Sequence, residues 1–317
     1  MPSNNTPASA PTIVVLIPCF NEEITIAKVV TDFKQELPSA QIVVLDNNST
    51  DDSAKFAKQA GASVVQVTRQ GKGAVVRYAF REIEADVYVM VDGDDTYSVK
   101  NVHNLIAPIL NGTHDMAIGD RGISEGDYSK ENKRTFHNFG NALVCNLVNY
   151  CFNSNIMDVM TGYRVFSRRF VENVPILSDK FEVETEMTIR CLDRKLNITT
   201  IPVIYQDRPA GSFSKLNTVK DGCKVLKIIF TILKDYKPLL FFGSLSLISL
   251  IFSLLVGSLV ITEFVKSGYI AHVPLAILAT GFAIVSVILM NCALILDTIV
   301  SLERQNNELQ IVRFNKR

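Results

Sequence analysis

The chain has 317 residues, 32 basic and 32 acidic side chains, and 48% hydrophobic residues. A formal net charge of zero gives no electrostatic footprint for a nucleic-acid partner. Six cysteines without a Cys-x-x-Cys pairing suggest neither a disulfide framework nor a zinc site, and they read as reduced, packed thiols.

Residues 1–11 are rich in Ser, Asn, Ala and Pro, with no basic start and no long apolar run; they read as a flexible leader and not as a signal peptide. The β-branched run Ile13–Ile17 predicts a strand, and Ile26, Val30, Phe33 and Leu37 then recur at helical spacing before Pro38. Ile42–Leu45 is the next strand and ends at Asp46. A short helix through Phe56, Ala57 and Ala60 stops at Gly61, and Ser63–Val67 and Val87–Val91 are two further strands. This alternation predicts an α/β fold, a mostly parallel sheet with helices on both faces. Its binding edge gathers Pro18–Glu23, Asp46–Asp51 and Asp92–Tyr97, because open α/β sheets take ligands at the carboxyl ends of their strands.

Asp92-Gly93-Asp94, followed by Asp95, places several carboxylates at one strand end. Such a cluster needs a cation, and a divalent metal is the simplest neutraliser. Taken alone, the tripeptide reads equally well as an ordinary acidic turn. The rim also collects Asn21, Glu22, Glu23, Asp46, Asp51 and Asp52, while Gly71-Lys72-Gly73 and Arg77 supply cations. Acidic and basic groups in one crevice suit a nucleoside diphosphate with its metal. Gly71-Lys72-Gly73 lacks the spacing of a phosphate-binding P-loop and in isolation is a basic glycine turn.

Towards the C-terminus, Leu239–Thr262 and Val273–Leu296 carry no charge, and each is long enough to cross a hydrocarbon core of about 30 Å. Lys220, Lys224, Lys227, Lys234 and Lys237 precede the first stretch; Arg304, Arg313, Lys316 and Arg317 follow the second; the connector holds only Lys266. The positive-inside rule then predicts both termini and the α/β domain on the cytoplasmic side. Val219, Cys223, Leu226, Phe230 and Leu233 share helical spacing, which reads either as an interfacial helix on the inner leaflet or as a helix packed on the soluble domain. The tail after Asp297 is a candidate surface for homo-oligomer formation.

Five segments occur in order: Ile17-Pro18-Cys19-Phe20-Asn21-Glu22-Glu23, Asp46-Asn47-Asn48-Ser49-Thr50-Asp51, Asp92-Gly93-Asp94, Asp158-Val159-Met160-Thr161-Gly162-Tyr163-Arg164, and Arg208 through Leu216. Together they resemble the dolichol-phosphate mannose synthase-like branch of glycosyltransferase family 2, from about Ile13 to Leu216. The resemblance implies a GT-A fold and transfer of a sugar, with inversion, from a nucleotide-diphosphate sugar to a polyprenyl phosphate such as undecaprenyl or dolichyl phosphate. It implies that Pro18, Phe20, Asn21, Glu22, Asp46, Lys72, Asp92, Gly93, Arg208 and Lys215 hold the nucleotide sugar. Mg2+ or Mn2+ would sit on Asp94 with Asp92 beside it; Arg121, Arg134 and Ser214 would meet the acceptor phosphate; Asp158, Arg121 and Arg164 would serve the reaction centre. One departure is Thr96, where relatives often have Gln.

The implied organisation is the leader over 1–11, a GT-A domain over 12–216, an amphipathic interfacial helix over 217–237, a membrane hairpin over 238–300 with spans at 239–262 and 273–296, and a cytoplasmic tail over 301–317. Plainer readings stand beside several of these residues. Arg134 could be a solvated helix arginine, Arg164 a structural ion-pair partner and Asp158 a turn cap. Glu182, Glu184 and Glu186 read as helix caps, with Glu184 the best functional exception. Two other activities share these features: a processive polysaccharide synthase, and a non-catalytic nucleotide-sugar-binding membrane subunit. The first usually carries a Gln-x-x-Arg-Trp motif, and this chain has no tryptophan.

Overall fold

The computed structural model describes residues 10–122, 135–179, 182–206, 208–209, 228–270 and 272–314, with side chains except at 135–139 and 310–314. The chain divides into two units, 1–222 and 223–317.

The first unit begins β1 (Ile13–Cys19), α1 (Ile26–Glu36), β2 (Gln41–Asp46), α2 (Ser53–Gln59), β3 (Ser63–Gln66), α3 (Lys72–Glu82) and β4 (Val87–Met90). It continues with α4 (Val102–Leu110), β5 (Met116–Asp120), α5 (Thr135–Phe152), β6 (Arg164–Ser167), α6 (Arg168–Asn173), α7 (Val183–Asp193) and β7 (Ile198–Pro202). The seven strands form one sheet in the order β3-β2-β1-β4-β6-β5-β7. Strand β6 runs antiparallel to β4 and β5, and every other pairing is parallel.

The local sequence explains these elements. Strands β1, β2 and β4 are nearly unbroken runs of buried apolar residues because helices cover both faces of the sheet. On one face Val15, Ile17, Val44 and Val89 pack with Ile26, Val30 and Phe33 of α1 and Leu105 of α4. On the other, Phe166 meets Phe80 at 5.4 Å and stacks on Phe170 at 4.8 Å between ring centroids. Gly73 is required by a close approach: a Cβ there would lie 2.1 Å from the Ser178 carbonyl oxygen. That contact lets the first turn of α3 dock on the chain before α7, where the amides of Gly73 and Ala74 donate to the Asp179 carbonyl.

The second unit contains a helical stretch at 228–236, α8 (Pro238–Ser267) and α9 (Val273–Phe314). Residues 217–227 of the expected interfacial helix lie outside the described residues. Helix α9 continues without a break through the segment read as a separate tail. Helices α8 and α9 are both long and apolar enough to cross a membrane. Their packing is inverted relative to a water-soluble pair: Leu254, Ile261, Ile277 and Val287 face outward, while Ser246, Ser249, Ser253 and Ser286 are buried. The Ser246, Ser249 and Ser253 hydroxyls donate to the carbonyls of Ser286, Phe282 and Ala279 at 2.8, 2.9 and 2.7 Å. Ser286 returns a bond to the Ser246 carbonyl at 3.0 Å. Small hydroxyl residues let the two backbones approach closely, which is how helices associate where lipid removes any hydrophobic drive.

Ser253→Ala should weaken hairpin closure by about 0.6 kcal/mol, and Ser253→Ile by more, because its side chain would wedge the helices apart. An SDS titration of the micelle-bound protein checks this through a falling unfolding midpoint. Unchanged midpoints in both variants would show the serine contacts to be incidental.

Candidate active site

The sheet's order reverses at β1, whose neighbours are β2 and β4, so a crevice opens at the carboxyl ends of these strands. Parallel β1, β2, β4, β5 and β7 all end at this edge. Antiparallel β6 begins there, so the loop 158–163 before it is delivered to the same rim. Candidate residues from five strand ends and one strand start are thereby gathered.

The acidic turn after β4 is enclosed. Asp92 meets the Lys72 ammonium at 2.5 Å, and the same ammonium reaches Glu184 of α7 at 2.6 Å. Burial opposes the charge on Lys72, but Asp92 and Glu184 outweigh it and hold the lysine protonated well above its ordinary range. Glu184 itself is pushed up by burial, an effect Lys72 partly offsets. Asp94 is buried; its Oδ1 accepts from the Thr96 hydroxyl at 2.6 Å and its Oδ2 lies 2.5 Å from Arg208. Burial, with Asp92 alongside, raises the Asp94 pKa despite Arg208. The turn is anchored from behind by Thr25, whose hydroxyl donates to the Gly93 carbonyl at 2.7 Å.

Gly162 fits this corner because it has no side chain: a Cβ there would lie 2.2 Å from Asp92 Oδ2. The buried Tyr97 hydroxyl accepts from the Gly162 amide at 3.0 Å and contacts the Thr161 hydroxyl at 3.2 Å, fixing the loop against Asp92. Four residues earlier, Asp158 pairs with Arg121 through two bonds of 2.7 and 3.0 Å. Burial raises the Asp158 pKa, but Arg121 more than offsets this and the carboxyl sits below its usual range. The Arg121 guanidinium also lies over the Tyr205 ring, 5.4 Å from its centroid.

The loops after β1 and β2 are joined by reciprocal contacts. Asn21, at φ 53°, accepts from the Thr50 amide at 2.8 Å, and its own amide donates to the Ser49 hydroxyl at 3.0 Å. Glu22 donates its amide to Ser53 at 2.8 Å, and buried Asp46 accepts from the Ser49 amide at 3.2 Å. Asn47, which the sequence places on the binding edge without a role of its own, donates to the Val67 and Arg69 carbonyls and accepts from the Gly71 amide at 2.7 Å. It ties the end of β2 to the turn that presents Lys72.

Two expectations change. Arg164 is fully buried and donates to the Thr161 and Val159 carbonyls and the Thr188 hydroxyl at 3.0, 2.8 and 2.8 Å. Burial pulls its pKa down to about 10. It secures the 158–162 loop from inside the domain and does not line the crevice. Arg77 donates to the carbonyls of Ile176, Leu177 and Ser178, so it braces the chain before α7 instead of offering a cation to the rim. Pro18 is the penultimate residue of β1 and Phe20 follows the strand, both half-buried at the rim, and Gly93 sits within the acidic turn. Arg134, Ser214 and Lys215 lie outside the described residues. Glu184, Tyr97, Thr25 and Asn47 complete the site; Tyr97 and Asn47 fell within segments read onto the binding edge and Glu184 had a signal as a carboxylate near a helix start, whereas Thr25 had none.

Among the described residues no group of three or more His, Cys, Asp or Glu side chains is arranged to hold a metal. The donor set fits a site finished by substrate, since Mg2+ is commonly held by one or two carboxylates plus phosphate oxygens. Arg208 on Asp94 Oδ2 already marks where positive charge is favoured.

Residues 14–174 match the family described as Glycosyl transferase family 2. The chain belongs to that family. Glycosyltransferase AglJ of Haloferax volcanii is 31% identical over 296 residues, covering 92% of this chain and 95% of that one. A dolichyl-phosphate hexose transferase of the same organism is 27% identical, covering 68% and 92%. These names are consistent with the polyprenyl-phosphate branch of family 2. In fold, this family 2 enzyme is similar to glucosyl-3-phosphoglycerate synthase from Mycobacterium tuberculosis, solved with Mn2+, UDP-glucose and phosphoglyceric acid. That likeness has a TM-score of 0.55 and 22% identity, covering 71% of this chain and 79% of the other.

Lys72→Met removes the cation shared by Asp92 and Glu184 and should cost about 3–5 kcal/mol; adding Glu184→Leu should restore part of it, read from urea midpoints in detergent. Asp158 has a depressed folded pKa, so its contribution is present above an unfolded value of about 3.9 and is lost as pH falls through the folded one. Asp158→Asn should therefore flatten the acid limb of a stability–pH profile. A limb as steep as the parent's would refute the ion pair's role.

Proposed function

We propose that this family 2 glycosyltransferase moves a sugar from a nucleoside-diphosphate sugar to a polyprenyl phosphate, with inversion at the anomeric carbon. The observation that carries the reading is the state of the crevice carboxylates. Asp92, Asp94, Asp158 and Glu184 each lie within 2.7 Å of a lysine or arginine nitrogen, so none of the four stands as an unpaired base. An alcohol acceptor would need such a base. A phosphate monoester, with a second pKa near about 6, arrives with its oxyanion already formed.

The work left to the protein is to hold two anions in line and to stabilise the charge that develops on the departing diphosphate. Asp46 and the loops around Asn21 and Glu22 take the nucleoside. Asp94, with Asp92 beside it, would hold Mg2+ or Mn2+, which supplies charge neutralisation at the diphosphate. Arg121, kept rigid by Asp158 and Tyr205, receives the acceptor phosphate; by family resemblance Arg134 and Ser214 join it and Lys215 meets the diphosphate. An acceptor oxygen attacks the anomeric carbon from the face opposite the leaving group. The bond from that carbon to the diphosphate oxygen breaks, and its electron pair leaves with the nucleoside diphosphate.

The hairpin supports a lipid acceptor because the same chain that carries the crevice carries two membrane-length helices with outward apolar faces. The lysines before α8 and the basic residues near the end of α9 support an orientation with both termini and the catalytic unit on the cytoplasmic side.

Purified full-length protein incubated with Mg2+ or Mn2+, polyprenyl phosphate and a panel of nucleotide sugars should give a chloroform-soluble sugar product with one or few donors. Asp94→Asn should abolish it while leaving the protein folded. No product from any donor would overturn the assignment, and undiminished product in Asp94→Asn would remove the metal from it.

A further inference from the structure

The two carboxylates of the acidic turn each hold a protein cation, but the cations are held very differently. Lys72 opens α3, its side chain is 9% exposed, and it is clamped between Asp92 and Glu184. The helix start that carries it is fixed by the Gly73 and Ala74 amides on the Asp179 carbonyl. Arg208 belongs to no helix or strand, and its side chain is 29% exposed. It is brought to the turn by a backbone tie two residues earlier, where the Gln206 amide donates to the Thr96 carbonyl at 2.8 Å.

Asp94 is oriented independently of that arginine. Its Oδ1 is fixed by the Thr96 hydroxyl at 2.6 Å and by the Thr96 amide at 3.3 Å, leaving Oδ2 for the guanidinium. A divalent cation on Oδ2 and the Arg208 guanidinium on Oδ2 exclude one another, because two positive groups would contend for one oxygen. Moving Arg208 away without replacement would leave a buried carboxylate beside Asp92, which is costly. The exchange is favourable only when the incoming cation restores the charge at Asp94 and the arginine finds another anion.

We propose that Arg208 exchanges partners, holding Asp94 in the donor-free enzyme and passing to a phosphate group of the incoming nucleoside diphosphate as the divalent cation takes Asp94. This rests on the nucleotide-sugar reading of the crevice. Divalent cation alone is opposed by the arginine. Cation and nucleoside diphosphate together satisfy both groups, so their binding is coupled, and the coupling is reciprocal.

The test is Mn2+ binding by full-length protein in detergent, followed by the electron paramagnetic resonance signal of free Mn2+, with and without UDP or GDP. Arg208→Gln should bind Mn2+ alone about tenfold more tightly than the parent, and the further gain on adding nucleotide should shrink. Arg208→Lys, which keeps the charge, should stay near the parent and serves if the glutamine variant does not fold. Asp94→Asn should remove the tight Mn2+ site in every background. Mn2+ affinity in Arg208→Gln equal to or weaker than the parent's would overturn the exchange, as would an Arg208→Lys variant that gains Mn2+ affinity. No Mn2+ binding in any variant would overturn it together with the metal assignment. The expected Mn2+ pattern without lipid-linked sugar product would uphold the exchange and sink the proposed reaction.

Discussion

Carboxylates buried at a sheet edge must be matched by cations, and the crevice is organised around that requirement. An isolated charge taken out of water costs several kcal/mol even after relaxation, and Asp92, Asp94, Asp158 and Glu184 are each placed beside a lysine or arginine. The cations come from three places in the chain. Lys72 comes from the start of α3, Arg121 from the end of β5, and Arg208 from the segment after β7. Charge matching therefore fixes how α3, β5 and the chain after β7 meet the acidic turn. The glycine at 73, the asparagine at 47 and the tyrosine at 97 serve that meeting.

A second constraint is the reversed strand. Because β6 alone runs antiparallel, the loop preceding it reaches the rim that the parallel strands reach with their ends. That loop carries Asp158 to Arg121 and Gly162 to Asp92, linking the two halves of the crevice. Arg164, the first residue of β6, holds the loop from beneath. A buried guanidinium is an expensive way to tie three acceptors, and its depressed pKa records the cost. Its planar fork reaches Val159, Thr161 and Thr188 at once, which an ammonium on a flexible stem would not reproduce.

Much of this was legible in the sequence where burial leaves a pattern. Strands β1, β2 and β4 are covered on both faces, so they stand out as apolar runs whose ends could be located to a residue or two. The acidic residues after them then fell on one edge by parallel topology alone. What the pattern could not reveal was partner choice. Arg77 and Arg164 are cations flanked by apolar residues, and only the docking of the chain before α7 and the reversal of β6 decide that they serve carbonyls. Glu184 looked like a helix cap because its tie to Lys72 spans more than a hundred residues of sequence. The hairpin's length was plain from composition, whereas its serine ladder depends on which faces of α8 and α9 meet, and charge-free runs of this kind do not disclose that.

Thr96 links the charge argument to the family pattern. Where relatives often carry a glutamine, this chain has a shorter side chain whose hydroxyl is spent on Asp94 Oδ1. A threonine used in this way orients the carboxylate and adds no further reach towards a cation at Oδ2. With fewer protein donors, a cation there depends more heavily on oxygens brought by the substrate. A threonine that thins the protein's share of the shell would therefore strengthen the dependence of cation binding on the nucleotide in the proposed reaction. Asp94, with one oxygen fixed by Thr96 and the other held by an exchangeable arginine, is built to keep its charge matched before and after the donor arrives.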